Sequence, residues 1–467
     1  MTHPITYIST RGQSPELSFE EVLLRGLAPD GGLYVPSHLP EFSLSDLTRM
    51  SALPYAELAY EIMVPFVGDT LPHTQLRSII NDSYASFRHS AIAPLTQLHH
   101  NHFALELFHG PTLAFKDFAL QFLGRIMDAV LQKRGEKLVI LGATSGDTGS
   151  AAIAGCQGRD NMDIVILYPQ GRVSDVQRRQ MTTIKDANVH CLAVDGTFDD
   201  CQHIVKTLFV DEAFRTAHPL GAVNSINWTR IMAQIVYYFY AAFQLGAPAR
   251  ALAFSVPTGN FGDIYAGFLA KRMGLPIEHL IVASNRNNIL TRCINSGDHS
   301  MNGVQKSLSP SMDIEISSNF ERALFDMHYR DASAVQQLMH ELKEHNKFTL
   351  SGHALQTLQK EFSAFSCDDE QTAHIIKTLY EQSNIILDPH SAVGYDASLQ
   401  HQHKTKSDAV YITLATAHPA KFPDAVHNAT GIHPKLPHHI KDLFTQPERF
   451  VRCNNNSEDV KEYISII

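Results

Sequence analysis

The sequence is short of cysteine, of net positive charge and of long apolar runs, and each shortage excludes a class of protein. Its six cysteines are widely spaced with no C-x-x-C pair, which is typical of reduced thiols in a cytoplasmic protein. The net charge of −10 argues against a general binder of nucleic acid or anionic membranes. The longest apolar run, residues 235–243, is too short to cross a bilayer, and the start MTHPITYISTRG lacks the pattern of a signal peptide. We therefore expect a cytoplasmic protein without nucleic-acid or membrane partners.

The sequence has 26 histidines but lacks a pair of them at the spacing of metal ligands. His340-Glu341 followed by His345 misses the H-E-x-x-H pattern by one residue, which places the second histidine on another helix face. The other histidine clusters, within residues 99–102 and 433–439, lie in polar or proline-rich stretches typical of a surface. We therefore predict no metal site.

The 467 residues are too many for one compact core, so we expect two or three domains. Residues 1–95 have the pattern of a mainly helical unit, with a capping box at Ser18 and Glu21, and residues 95–103 look like a link to the next domain. From Lys137 onward short apolar runs alternate with helical patterns, among them helices over 199–214 and 228–244. The predicted strands are residues 138–141, 163–167, 189–194, 251–256, 280–283 and 409–414. This alternation predicts an α/β fold with parallel strands and helices on both sheet faces.

One lysine, Lys116, lies on the apolar side of a predicted helix start. Gly110-Pro111 marks a turn, Thr112 can cap a helix, and an apolar pattern at helical spacing runs on to about Val130. The neighbours of Lys116 at i+3, i+4 and i+7 are all apolar. Desolvation and the positive end of the helix dipole both disfavour a charged amine there. A neutral lysine amine can form a Schiff base, although a lysine that keeps its charge in water remains the alternative.

Three loops at the ends of predicted strands carry groups suited to ligands. Residues 142–150, GATSGDTGS, offer backbone N–H groups and hydroxyls to a carboxylate or phosphate at a helix N-terminus. Residues 257–263, PTGNFGD, contain two glycines that let the backbone approach an anion closely. Residues 416–422, TAHPAKF, begin with a hydroxyl that can meet a ring nitrogen. A plain strand-to-helix turn is the alternative for the first loop, and the second is weak evidence alone.

Together these groups are an aldehyde-reactive lysine, two anion cradles and one neutral hydroxyl. Pyridoxal phosphate needs such a set, because its aldehyde takes the lysine, its phosphate takes one cradle and the substrate carboxylate takes the other. The alternative from another class is a nucleotide-binding module that uses GATSGDTGS as its anion loop. That loop is neither a P-loop nor G-x-G-x-x-G, and no acidic partner for a ribose stands out.

Four motifs in chain order, HGPTLAFKDF, ATSGDTGSAA, PTGNFGD and TAHPAKF, resemble the threonine synthase family. The N-terminal YISTRG and GLAPDGGLYVP are similar to the N-terminal domain of that family, in its longer bacterial and fungal branch. The resemblance spans about Tyr7 to Gly431. It implies fold type II of the pyridoxal phosphate enzymes, which resembles the tryptophan synthase β subunit: two parallel-sheet α/β domains with the active site between them, plus a small, mainly helical N-terminal domain. The implied domains are residues 1–95, a large cofactor-binding domain of 96–136 and 225–467, and a smaller domain of 137–224.

The resemblance also implies roles for single residues. Lys116 would hold pyridoxal phosphate as a Schiff base and later shuttle protons, and Thr416 would meet the pyridine nitrogen. The residues implied to cradle the cofactor phosphate are Gly259, Asn260, Phe261, Gly262 and Asp263. The residues implied to bind the substrate in the first loop are Ser145, Gly146, Asp147 and Thr148. Asn227 and Arg230, which open the predicted helix NWTRI, are our own candidates for the substrate phosphate, since an arginine can bind a phosphate bidentately.

The implied reaction converts O-phospho-L-homoserine and water to L-threonine and phosphate, the last step of threonine biosynthesis, in a monomer or homodimer. Protons leave Cα and then Cβ, phosphate leaves Cγ, and water adds at Cβ, with Lys116 as the general base at Cα. The alternative within the same fold is a phospholyase that releases 2-oxobutyrate from phosphohomoserine without adding water. A catalytically dead scaffold is a third alternative, and the presence of Lys116 argues against it.

Overall fold

The computed structural model describes residues 4–467. The strands are β1 (Tyr7–Ser9), β2 (Tyr34–Pro36), β3 (Leu95–His99), β4 (His102–Glu106), β5 (Leu138–Ala143), β6 (Met162–Pro169), β7 (Val189–Val194), β8 (Leu220–Gly221), β9 (Leu252–Pro257), β10 (Ile277–Ser284), β11 (Asp298–Ser300), β12 (Lys347–Thr349), β13 (Phe362–Ser366), β14 (Val410–Ala415) and β15 (Val451–Cys453). The α-helices are α1 (Phe19–Arg25), α2 (Leu44–Met50), α3 (Tyr55–Val67), α4 (His73–Tyr84), α5 (Lys116–Arg134), α6 (Asp147–Cys156), α7 (Asp175–Thr182), α8 (Phe198–Val210), α9 (Glu212–Ala217), α10 (Trp228–Gln244), α11 (Gly262–Arg272), α12 (Ile289–Ser296), α13 (Phe320–Met327), α14 (Ala332–His345), α15 (Gly352–Glu361), α16 (Asp369–Ser383), α17 (Pro389–Thr405), α18 (Pro423–Thr430) and α19 (Ser457–Ser465). Short 3₁₀ turns lie at Gly68–Thr70, Pro310–Met312, Pro419–Lys421 and His438–Ile440.

The elements predicted from the sequence between β5 and α11 are present, with small shifts of their ends. β7 and α10 have the predicted bounds. The helix predicted over 199–214 is instead two helices, α8 and α9. Asp211 leaves the helical conformation with ψ at 98°, and its side chain caps α9 by accepting from the Phe214 N–H. The capping residue Asp211 thus divides into two helices the stretch that the apolar pattern predicts as one.

The N-terminal unit is mainly helical, as predicted, with the antiparallel pair β1–β2 and helices α1 to α4. The predicted capping box begins α1, since the Ser18 side chain accepts from the Glu21 N–H and the Glu21 side chain accepts from the Ser18 N–H. α3 and α4 pack against α5 and α10, where the rings of Tyr55 and Phe118 lie 5.8 Å apart. The apolar core of this unit is therefore continuous with the core that supports α5.

The larger sheet has the strand order β13-β10-β9-β14-β4-β3. Its neighbours are parallel except β3, which pairs antiparallel with β4. β9 and β14 are buried along their whole lengths, which is typical of central strands covered by helices on both faces. Residues 95–103, expected to be a link between domains, instead form β3 and the first part of β4.

The smaller sheet has the strand order β15-β7-β6-β5-β8 and is parallel throughout. Its edge strand β15 pairs with β7, although the two are far apart in the chain. α19 packs against α8, and Val460 and Ile464 join the apolar cluster under this sheet. Residues from β15 onward, which the sequence assigned to the larger domain with 225–467, therefore pair and pack with the smaller sheet.

Helices α5 and α6 cross at two glycines, Gly124 and Gly155. A Cβ added at Gly124 would lie 2.2 Å from the Gly155 carbonyl oxygen, and one added at Gly155 would lie 2.2 Å from the Leu120 carbonyl oxygen. Backbone therefore packs directly on backbone at this crossing, which fixes the first turn of α5 relative to the first turn of α6.

Two kinds of feature are missing from residues 4–467. None of the helices there is both long and apolar enough to cross a bilayer. No group of three or more His, Cys, Asp or Glu side chains in the same range is arranged to hold a metal ion.

Candidate active site

Three loops and one helix start converge between the two sheets. The loops follow β5, β9 and β14, and the helix is α5. A bridge between Ala114 and Ala417 joins the segment before α5 to the loop after β14. Ser311 joins the other two loops: its hydroxyl lies 3.5 Å from the Asp147 carboxylate, and its carbonyl oxygen would lie 2.7 Å from a Cβ added at Gly259. The four motifs HGPTLAFKDF, ATSGDTGSAA, PTGNFGD and TAHPAKF thus meet in one place.

Lys116 is the first residue of α5, and its amine points into the protein. The side chain is 12% exposed, and its Nζ lies 3.3 Å from Oδ2 of Asp147. Burial lowers the pKa of Lys116, Asp147 raises it, and Lys421 and Arg230 lower it further, so the net direction is down. A lysine that keeps its charge in water does not fit this geometry. Thr112 does not cap the helix, because its hydroxyl and its N–H both donate to Asp117, at 2.6 and 2.8 Å.

Asp147, the first residue of α6, is the charged centre of the site. Its Oδ1 lies 2.8 Å from the Nζ of Lys421 and accepts from Nε2 of Gln177 at 2.8 Å, while Oδ2 faces Lys116. Burial by itself would raise the pKa of Asp147, but the two lysines outweigh it and hold that pKa well below its usual range. Asp147 is therefore an ionised carboxylate between two amines rather than a ligand open to solvent.

The loop after β9 has the geometry of an anion cradle. The backbone N–H groups from Gly259 to Asp263 donate to no acceptor among residues 4–467, and they precede or begin α11. The loop is held from behind, because the Asn260 carbonyl accepts from the N–H of Asn319 at 3.0 Å and from its Nδ2 at 2.9 Å. Free N–H groups at the positive end of a helix suit a phosphate, so this loop fits the phosphate of pyridoxal phosphate.

The side chain of Asp263 points away from that cradle. Its Oδ1 accepts from the hydroxyls of Tyr237 at 2.5 Å and Tyr238 at 3.0 Å. Burial raises the pKa of Asp263 to about 7, against the two tyrosine hydrogen bonds, which lower it. Asp263 can therefore bind a phosphate only through its backbone N–H.

The loop after β5 offers fewer free donors than the sequence suggests. The hydroxyl of Thr144 accepts from the Gly146 N–H at 3.0 Å and from the Gly149 N–H at 2.9 Å, so neither N–H faces a ligand. The N–H groups of Ser145, Asp147 and Thr148 have no acceptor among the described residues. These three groups at the start of α6, together with the hydroxyls of Ser145 and Thr148, can hold a carboxylate.

Thr416 lies beside the start of α5 at the end of β14. Its carbonyl accepts from the Phe115 N–H at 2.8 Å, and its own N–H donates to the Ser391 hydroxyl at 3.1 Å. Thr416 is 5% exposed. Thr416 is therefore buried, and its backbone is bonded to the residue that precedes Lys116.

Asn227 does not face the site. It caps α10, with its Oδ1 accepting from the Thr229 N–H at 3.0 Å and its Nδ2 donating to the Leu23 carbonyl at 3.0 Å. Its side chain has no exposed surface. Both ends of its amide thus hold the N-terminal unit and the helix together, and the structure does not bring the Asn227 side chain to the predicted phosphate site.

Arg230 is buried without a carboxylate partner in the described part of the chain. It is 4% exposed, its Nη1 donates to the Val223 carbonyl at 3.1 Å, and its Nε has no hydrogen-bond acceptor. Burial lowers the pKa of Arg230 to about 10, and its charge reaches Lys116. A buried guanidinium that lacks an anion suits an anionic ligand.

Sequence reasoning missed three side chains of the site. Lys421 lies within TAHPAKF, where a lysine between Ala420 and Phe422 is a signal that was available. Gln177 on α7 and Ser311 in a 3₁₀ turn had no signal, because each reaches Asp147 from a distant element.

The fold and the site define a class of enzyme. Residues 91–338 match the family described as pyridoxal-phosphate dependent enzyme, and the buried lysine beside a free N–H cradle is the arrangement that this cofactor needs. The protein is therefore a pyridoxal phosphate enzyme of fold type II, which removes the alternative of a nucleotide-binding module. Residues 6–84 match the threonine synthase N terminus and residues 391–464 match the threonine synthase C-terminal family. The chain belongs to the threonine synthase family.

Relatives along the whole chain support this membership. The chain is 53% identical to the threonine synthase of Pseudomonas aeruginosa, over 98% of each chain. It is 45% identical to that of Saccharomyces cerevisiae, over 91% of this chain and 88% of the relative. Among solved structures, a pyridoxal phosphate-bound threonine synthase from Brucella melitensis superposes with a TM-score of 0.96 at 52% identity, over 98% of each chain. The threonine synthase from yeast superposes with a TM-score of 0.94 at 42% identity, also over 98% of each chain.

Proposed function

We propose that this protein converts O-phospho-L-homoserine and water to L-threonine and phosphate. The observation that carries the proposal is the amine of Lys116, which is buried at a helix start beside Asp147, in a site that also has a free N–H cradle and a buried arginine without a carboxylate partner among the described residues. Pyridoxal phosphate, when bound, supplies an electron sink for the charge left when a proton leaves carbon. The other steps belong to the side chains of this chain.

Lys116 holds the cofactor covalently in this proposal and then moves protons on the substrate. Its lowered pKa favours the neutral amine, which is the form that bonds to an aldehyde and accepts a proton from Cα. The backbone of residues 259–263 would hold the cofactor phosphate, and the Thr416 hydroxyl would meet the pyridine nitrogen. That hydroxyl is neutral, so the ring nitrogen gains no charge from it.

The two ends of the substrate bind to different elements. Its carboxylate meets the free N–H groups and hydroxyls of Ser145 and Thr148 at the start of α6. Its phosphate meets Arg230, whose buried guanidinium lacks an anion. Asp147 orients the lysine between them and Gly146 shapes the turn. Burial of these groups keeps bulk water away from Cα.

The experiment that tests the function is a product assay with purified protein, pyridoxal phosphate and O-phospho-L-homoserine. We expect L-threonine and inorganic phosphate in equal amounts. Release of 2-oxobutyrate without threonine would contradict the proposal and identify a phospholyase.

We further propose that the enzyme works in the cytoplasm as a monomer or homodimer. Its six cysteines are free and buried, which suits a reducing compartment. We propose domain limits of 1–95 for the N-terminal unit, 96–136 with 225–450 for the larger domain, and 137–224 with 451–467 for the smaller one, because β15 completes the smaller sheet. Sedimentation velocity of the purified protein distinguishes a monomer or dimer from larger assemblies.

A further inference from the structure

Two buried lysines face one buried carboxylate, and their environments differ. The side chain of Lys421 has no exposed surface, and its Nζ lies 2.8 Å from Oδ1 of Asp147 and donates to the Thr112 carbonyl at 2.7 Å. Lys116 lies farther away, at 3.3 Å from Oδ2, and it is 12% exposed. Lys421 is thus fixed by two partners, while Lys116 is free to leave Asp147.

The charges of this cluster can balance while Lys116 stays neutral, because the carboxylate of Asp147, whose pKa is lowered, can pair with Lys421 alone. With Lys421 protonated and Asp147 ionised, the pair has no net charge, and a neutral amine on Lys116 adds no further charge to it. Without the cation of Lys421, the carboxylate would have only Lys116 to pair with. A buried charge that loses its partner is strongly unfavourable, so Lys116 would then be held as an ammonium.

We propose that Lys421 is a positioning residue for the reaction, because as the permanent counter-ion of Asp147 it allows the amine of Lys116 to bond to the cofactor and to accept protons. This inference depends on the role of Lys116 in the proposed function. It adds an assignment for Lys421, which acts through Asp147 and not on the substrate.

The other charged groups near these two amines are consistent with this role of Lys421. Arg230 on α10 is the remaining cation near Lys116, and like Lys421 it lowers the pKa of that lysine, whereas Asp147 raises it. Asp117 on α5 is the second carboxyl near Lys421, and burial raises the pKa of Asp117 to about 6 while Lys421 lowers it. Gln177 is neutral and only orients Asp147. Without the cation of Lys421, the carboxylate of Asp147 therefore raises the pKa of Lys116 with less opposing charge nearby.

The test measures the pH at which half of Lys116 carries the cofactor. Full-length holoenzyme is equilibrated over a pH series at one cofactor concentration, trapped with borohydride, and analysed for the adduct on Lys116 by mass spectrometry. Because only the neutral amine bonds to the aldehyde, Lys421→Met should raise this midpoint by at least about one pH unit, a tenfold change in the proton affinity of the amine. An unchanged midpoint in Lys421→Met would overturn the inference.

A double variant separates charge from packing. Lys421→Met with Asp147→Asn removes both charges, so its midpoint should return toward that of the wild type, whereas a packing defect would persist. Asp147→Asn alone should lower the midpoint, and a rise would overturn the inference. If Lys421→Met does not fold, Lys421→Gln provides the same test, because its amide can still donate to the Thr112 carbonyl.

A control variant at another lysine and the wild-type protein complete the experiment. Lys271→Met removes a lysine that pairs with Glu361 at 2.9 Å outside the site, and it should not move the midpoint. Wild-type protein that gives no adduct on Lys116 at any pH would refute the proposed function itself. An adduct on wild-type Lys116 together with an unmoved Lys421→Met midpoint would refute only the role of Lys421.

Discussion

At the scale of single residues, the site depends on buried charges whose partners come from distant parts of the chain. Lys116, Asp147 and Lys421 belong to α5, α6 and a 3₁₀ turn after β14. The apolar neighbours of Lys116 were enough to single it out, because its environment is set by its own helix. The long-range contacts of Lys421 and Asn227 were not predictable, because the partners in these contacts lie hundreds of positions away in the chain.

Replacement of Lys116 tests the centre of the site. Lys116→Ala should lower kcat by at least roughly 10³-fold, since it removes both the covalent attachment and the base at Cα. The visible absorbance of the lysine-bound cofactor should disappear, while circular dichroism shows an intact fold. Lys271→Ala is the control and should retain activity. Normal turnover in Lys116→Ala would show that another residue does this chemistry.

Arg230 provides a test of how the substrate phosphate is bound. Arg230→Ala should raise KM for O-phospho-L-homoserine by about tenfold or more, because a hydrogen bond to a charged group contributes roughly 1.5–3 kcal/mol. The affinity for pyridoxal phosphate should change much less. Steady-state kinetics and a cofactor titration measure the two effects. An equal loss of both affinities would mean that the variant disturbs the fold instead.

At the scale of elements, the close crossing of α5 and α6 keeps Lys116 and Asp147 within reach of each other. The sequence predicted both helices from their apolar patterns and the loop after β5 from its small residues. It did not predict their contact, because glycines inside a helix indicate a close approach only once the partner helix is known.

A methyl group at this crossing should separate the two helices. Gly155→Ala places a Cβ 2.2 Å from the Leu120 carbonyl oxygen, and overpacking of this kind typically costs about 1–3 kcal/mol. We expect a lower thermal unfolding midpoint together with a lower kcat, as Lys116 moves relative to Asp147. Ala154→Ser, in the same helix, is the control. A variant with unchanged kcat would show that the crossing does not position the lysine.

At the scale of the whole molecule, the N-terminal unit is connected to the phosphate cradle through α13. Arg322 has no exposed surface, and it donates to the Tyr34 carbonyl at 3.0 Å and to the side chain of Asn319. Asn319 in turn donates to the Asn260 carbonyl. The N-terminal unit is therefore linked to the cradle through Arg322 and Asn319.

This connection predicts an effect at a distance. Arg322→Met should raise the Kd for pyridoxal phosphate several-fold, because it frees Asn319 from the N-terminal unit. Arg330→Ala is the matched control, since Arg330 donates to the Pro36 carbonyl at 2.9 Å but has no bond to Asn319. It should lower stability without changing the Kd. Equal changes in Kd for both variants would indicate general loosening of the N-terminal unit.

The overall architecture was largely predictable from the sequence, because the alternation of apolar runs and helical patterns is a local property. The family resemblance added the place of the site between two sheets. The place of β15 in the smaller sheet was not predictable. A short edge strand has little sequence pattern of its own, and its partner β7 lies far back in the chain.

The return of the chain to the smaller sheet restricts how the two halves can move. The backbone passes from one sheet to the other after α5, comes back after β8, and crosses again before β15. A smaller domain that was linked to the larger one only near β5 and β8 could rotate about those two connections. The third connection, at β15 on the opposite edge of the sheet, resists this rotation. Opening of the cleft is thereby confined to a bending motion, in which the loop at the start of α6 in the smaller domain moves relative to Lys116 and the cradle of the larger one.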